Sequence, residues 1–211
     1  MTSMGNRGFS LSRPRGKALP KAVESSGRTF PIRPDFWNIL RILRMLNDSE
    51  IPEWHKPSLL ARWFYGREED LPENGMDLFL DFLLMGEEQA PGTEDPESRI
   101  CYEFDAPEIY SAFFHAYGMD LLQCQDLHWW QFLALLRGLL RTENALSKKL
   151  ELRTLDTSRC ENPARAEAAK RAVQIPTAIS REEQHLQREL EQALLAGGDI
   201  SNVLKRYQHG D

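Results

Sequence analysis

Cysteine is scarce in this chain: Cys101, Cys124 and Cys160 are the only three in 211 residues, and they lie far apart. With no CxxC pair and an odd count, they build neither a disulfide framework nor a zinc ribbon. Long apolar runs are missing too. The longest strongly apolar segment, residues 127–136, stops at Arg137, whereas a membrane-spanning helix needs about 20 such residues. The opening stretch, MTSMGNRGFSLSRPRGK, holds no apolar core of the kind a secretory leader uses. These absences predict a soluble protein of a reducing compartment, with no membrane segment.

Reactive constellations are equally sparse. His55, His115, His128, His185 and His209 are scattered, with no HExxH spacing, and neither GxGxxG nor GxSxG occurs. Gly16-Lys17 is followed by Ala18 and lacks the preceding glycine of a phosphate-binding loop. Cys124 and His128, four apart, supply two metal ligands where zinc takes four. The acidic groups Glu68-Glu69-Asp70 and those of residues 87–97 fall in predicted loops, where carboxylates are solvated. No catalytic, cofactor-binding or metal-binding residue is assigned, no cofactor is expected, and the chain is read as not an enzyme. One enzymatic alternative stays open: a cysteine-dependent hydrolase using Cys124 or Cys101 with His115 or His128, since such partners meet only in the fold.

What is present is an ordinary globular composition, 41% hydrophobic and 27% charged, with an uneven charge distribution. Residues 1–33 carry seven basic side chains against the single acid Glu24, while the remainder holds 19 basic and 31 acidic residues. Residues 1–18 have no hydrophobic period and read as a disordered basic lead-in. A basic tail on an acidic body can meet nucleic acid, but seven scattered charges make a thin patch for phosphate, and nucleic-acid binding is not favoured.

The periodicity predicts a mainly α fold. Residues 21–32 alternate around Ser25-Ser26-Gly27 and read as a short β-hairpin laid on the helices. Pro34-Asp35 starts a helix with Phe36, Ile39, Leu40, Leu43 and Leu46 inward, ending near Asn47-Asp48. Pro57 opens a second, with Leu59, Leu60, Trp63 and Phe64 inside and Gly66 as its stop. Pro72 opens a third, through Met76, Phe79, Leu80, Leu83 and Leu84 to Gly86. After an acidic, proline-containing loop at 87–98, Asp105 reads as the N-cap of a fourth helix with Ile109, Tyr110, Phe113, Phe114 and Tyr117 inward. Residues 127–140 are apolar nearly all round, which puts that helix at the centre of the core. Residues 161–175 have good helix propensity with few large apolar groups, and Pro176 ends them. Ser180-Arg-Glu-Glu183 has capping-box spacing and opens a C-terminal amphipathic helix whose stripe is Leu186, Leu190, Ala193 and Leu194. The organisation expected is a lead-in at 1–18, a helical domain with its N-terminal hairpin at 19–160, and a helical extension at 161–211.

Two readings attach to Leu127-His128-Trp129-Trp130. Adjacent tryptophans point about 100° apart on a helix, so both are buried only if that helix is surrounded; the first reading is therefore a core centre. The second makes His128, Trp129 and Trp130 an anchor for a partner, because aromatic residues dominate binding hot spots. Leu186, Leu190 and Leu194 are the other candidate partner-binding residues, lying either on their own domain or in a partner's groove.

The segments Leu19-Pro-Lys-Ala-Val, Gly27-Arg-Thr-Phe-Pro-Ile and Asp35-Phe, then Phe104-Asp105-Ala-Pro-Glu-Ile-Tyr-Ser-Ala-Phe, Tyr117-Gly-Met-Asp-Leu, Leu127-His-Trp-Trp-Gln-Phe, Gly138-Leu and Arg153-Thr-Leu-Asp156 resemble the bacteriophage gene-product-fifteen family. The resemblance covers roughly residues 19–160 and leaves out the lead-in and the last helix. It implies a protein of tailed phages or prophages, encoded among tail genes near the tape-measure gene. The role it implies is tail assembly, with a chaperone of the tape-measure protein favoured over a structural tail component. It brings no catalytic residues. The partners implied are phage tail proteins, in the cytoplasm of the bacterial host, and a homo-oligomer is compatible with all of this.

Iodoacetamide labelling separates the binding reading from the hydrolase. At about pH 6 all three cysteines should react slowly, as thiols without an activating partner do. Fast, selective labelling of one of them would establish an activated thiolate and overturn the non-enzymatic reading.

Overall fold

The computed structural model of the chain describes residues 19–67, 69, 71–86 and 100–175. Strands β1 (Ala22–Ser25) and β2 (Arg28–Pro31) form an antiparallel pair in the register Val23↔Phe30. Ser26 and Gly27 between them both take positive φ, 51° and 75°, the signature of the two-residue turn whose twist matches that of its strands. Alternation then buries Val23, Ser25, Phe30 and Ile32. A lone hairpin is marginal in water. This one lies on the helices, with the Ser25 hydroxyl donating to Asn74 Oδ1 at 2.8 Å.

Helix α1 (Phe36–Asn47) is capped by Asp35, whose carboxylate accepts from the Asn38 N–H at 2.8 Å. Its deepest residues are Phe36, Ile39, Ile42 and Met45, whereas Leu40, Leu43 and Leu46 of the expected face are half-buried. The apolar arc of this helix is wide, and the buried line runs along its other edge. Helix α2 (Lys56–Leu60) continues into a π turn over Ala61–Tyr65, and Gly66 ends it in the left-handed conformation. A side chain at Gly66 would meet the Arg33 guanidinium at 3.0 Å. Lys56 is buried here because its ammonium donates to Leu46 O at 2.8 Å near the end of α1 and pairs with Glu53.

Helix α3 (Gly75–Leu83) corrects the expected orientation. Leu78, Phe79 and Phe82, with Met85 just past the helix, face the core, while Met76, Leu80 and the C-cap residue Leu84 point outward. In α4 (Ala106–Tyr117) the buried line is Ile109, Ala112 and Phe113; Phe114 and Tyr117, expected inside, are exposed. The chain continues through α5 (Trp129–Leu140), α6 (Ala145–Thr154), a 3-10 turn at Thr157–Arg159 and α7 (Pro163–Val173). The acidic loop predicted for 87–98 and the amphipathic helix with Leu186, Leu190 and Leu194 lie outside the described residues.

The fold is mainly α, with α5 at the centre as its all-round apolar sequence requires. Trp129, Trp130, Phe132, Leu133, Leu136 and Leu139 are all buried. Phe132 is the hub: its ring stacks with Phe36 at 5.1 Å, Phe113 at 5.2 Å and Trp129 at 5.5 Å between centroids. Replacing Trp130 by Ala should cost about 3–5 kcal/mol of stability, as deleting a large buried aromatic does. Trp130→Phe should cost less, about 0.5–1.5 kcal/mol for the lost indole hydrogen bond, because Phe82 O also accepts from the Met85 N–H at 3.1 Å. Denaturant melts check both; an alanine variant that melts like the parent would remove this helix from the core.

Candidate functional site

The three candidate anchors at the start of α5, His128, Trp129 and Trp130, are packed inside, and the reason is hydrogen bonding as much as apolarity. His128 sits in the N-cap position, where its Nδ1 accepts from the Trp130 N–H at 3.0 Å while Gln131 Oε1 accepts from the His128 N–H at 3.3 Å. The other ring nitrogen, Nε2, lies 2.9 Å from Pro20 O and donates to it, so the ring is the neutral tautomer with its proton on Nε2. The two indoles reach the end of α3: Trp129 Nε1 donates to Leu83 O at 3.3 Å and Trp130 Nε1 to Phe82 O at 2.8 Å. Backbone bonds from Phe36 N to Leu127 O and from Trp129 N to Pro34 O stitch the starts of α1 and α5 side by side. All three side chains are buried. Their rings are spent on contacts within the chain, and the core-centre reading accounts for every one of their polar atoms.

Burial lowers the His128 pKa below its ordinary value, against the pull of the Pro20 carbonyl and with help from the positive charge of Lys21. A proton on Nδ1 would turn the cap's acceptor into a donor facing the Trp130 N–H.

A second polar cluster was not foreseen. Asp105 stands at the N-cap position of α4 but makes no capping bond; it is fully buried. Its carboxylate instead receives both Nη atoms of Arg153 at 2.6 and 2.7 Å, the Lys149 ammonium at 2.9 Å and the Cys101 N–H at 3.0 Å. Lys149 also reaches Glu108 at 2.9 Å. Burial alone would push the Asp105 carboxyl up, but Arg153, Cys101 and Lys149 together outweigh it and hold it below the usual carboxylate range. Two cations answer two anions, so the cluster is electrically closed. Its work is to join α4 to α6 and, through Arg153 Nε to Val173 O at 2.6 Å, to the end of α7. A 48-residue separation conceals the Asp105–Arg153 pair from the sequence, where Asp-Ala-Pro-Glu reads as a cap.

Among the described residues no group of three His, Cys, Asp or Glu side chains could hold a metal ion. No helix there is long and apolar enough to cross a membrane. The three cysteines are free thiols, each partly buried.

What the surface offers instead is apolar. Besides Met76, Leu80 and Leu84 on α3, it exposes Trp54, Phe114, which stacks on Tyr110, and Leu122. Such groups, when clustered, are where a protein meets another. Leu186, Leu190 and Leu194 belong to the residues outside this description.

Set beside known proteins, residues 16–175 match the family model described as Bacteriophage Gp15 protein. No curated protein and no solved structure matches. The matched span takes in the hairpin, the seven described helices and both polar clusters, and ends where the last described residue does.

The neutral His128 ring gives a pH test. Its stabilising contribution is complete above about pH 6.5 and is lost as the pH falls through its lower folded pKa. His128→Asn retains an N-cap acceptor that does not titrate. The parent should therefore melt higher than the variant at about pH 7.5, and that gap in Tm should narrow toward about pH 5. A gap of constant size would show that the ring does not titrate against the cap.

Proposed function

Because the chain belongs to the bacteriophage Gp15 protein family, we propose that this phage protein acts in tail assembly as a chaperone that binds the tape-measure protein. The observation that carries the reading is the family match across the whole described body, joined to the apolar side chains that this body turns outward on α3 and α4. A tape-measure protein is a long helix whose apolar faces stay uncovered until tail subunits surround it. A chaperone would bury those faces reversibly, and the excess of acid outside the N-terminal segment would keep the complex in solution. The place of action on this reading is the cytoplasm of the bacterial host, and the protein has binding surfaces rather than a catalytic site.

A structural tail component is the second reading, favoured by the same outward apolar groups if they are covered permanently. Co-expression with the tape-measure protein of the same phage, followed by sedimentation, tests the first. The tape-measure protein should move from pellet to supernatant when this chain is present. Equal insolubility with and without it would defeat the chaperone reading, and stoichiometric amounts of the chain in purified phage particles would establish the structural one.

A further inference from the structure

Helix α3 carries two neighbouring stripes on its outer side. Met76, Leu80 and Leu84 follow one another at four-residue spacing and are 37%, 46% and 37% exposed. Beside them stand Asp77 and Asp81, again four apart and exposed, with Glu73 exposed in the turn before the helix. At about 100° per residue the acidic line runs along one edge of the apolar line. None of these three acids takes part in an ion pair among the described residues. The surrounding sequence has the same sign: residues 68–98 contain eleven Asp or Glu and no Lys or Arg.

Charge decides which occupant suits this face. A second copy of the chain, meeting it face to face, would set the acidic stripe against itself, and like charges in close apposition are strongly unfavourable. The chain's own Leu186, Leu190 and Leu194 are accompanied by Glu182, Glu183, Glu189 and Glu191 against Arg181 and Arg188, a net negative charge that meets the same objection. The basic residues 1–18 have the right sign but no apolar period. An anionic membrane surface has the wrong sign.

We propose that the outer face of α3 docks an amphipathic helix of another protein, one that carries Lys or Arg along one edge of its apolar stripe. The apolar contact supplies the binding, and Asp77, Asp81 and Glu73 select the partner's charge and fix its direction. As an account of how a tape-measure helix is gripped, this rests on the function proposed above.

The test uses the full chain and two fluorescein-labelled helical peptides. Both carry leucines at i, i+4 and i+8, flanked by lysines in one and by glutamates in the other. In low-salt anisotropy titrations the lysine peptide should bind at least roughly tenfold tighter than the glutamate peptide, and salt should erode the difference. Asp77→Lys with Asp81→Lys should reverse the preference. Leu80→Ser, with unchanged circular dichroism, should weaken both peptides. Equal binding of the two peptides, or a charge reversal without effect, would overturn the proposal. So would a lysine peptide that binds only after residues 176–211 are deleted, or an α3 substitution that halves the sedimenting mass, because the face would then belong to this chain itself. The two readings fail separately: peptides that fail while the tape-measure protein is still solubilised remove α3 alone. A charge-swap that works beside a failed co-expression removes the chaperone reading alone.

Discussion

Three ring N–H groups at the start of one helix hold this molecule together. His128 Nε2, Trp129 Nε1 and Trp130 Nε1 donate to Pro20 O, Leu83 O and Phe82 O, carbonyls on the approach to the hairpin and at the end of α3. Each of these bonds contributes about 0.5–1.5 kcal/mol, and Phe82 O accepts from the Met85 N–H as well. The same three residues begin the central helix, so its capping, its packing and its connections to two other elements come from one tripeptide. Large rings can be buried here because their few polar atoms all find partners.

The opposite arrangement operates around Asp105. There the joint is ionic, between α4, α6 and α7, and α7 buries no side chain of its own. It is held through Arg153 Nε to Val173 O, Lys170 Nζ to Leu155 O, and the Thr157 hydroxyl to Glu167. Buried ion pairs contribute little net stability against an apolar replacement, but removing one partner strands the other. The cluster therefore acts mainly on geometry: it fixes where α7 ends.

Legibility in the sequence follows the range of the interaction. The hairpin is readable because Ser26-Gly27 and the alternation around it are local. The centrality of α5 is readable because its composition leaves no polar face. The inner edges of α1, α3 and α4 are not, since each has apolar residues over more than half its circumference, and the choice between Leu80 and Phe82 or between Phe114 and Ala112 is made by the neighbouring helix. Asp105 misleads for a related reason. Its sequence neighbours favour a cap, yet a bidentate guanidinium arriving from 48 residues away outbids the helix N–H groups. His128 carries a local signal in an unusual form: Gln131 stands three residues on, the spacing of a capping box, with histidine in place of the usual serine or threonine.

The bond between His128 and Pro20 spans 108 positions. Helical proteins ordinarily fold through short-range contacts, and quickly. Here the first described element has its resting place on one of the middle ones, and α1 is stitched to the same spot. A ribosome making this protein has to lay down most of the domain before the hairpin and α1 find their seat. Until then Val23, Phe30 and Phe36 have no core to enter. On a nascent chain those side chains stay open to solvent until residues 127–140 have been made.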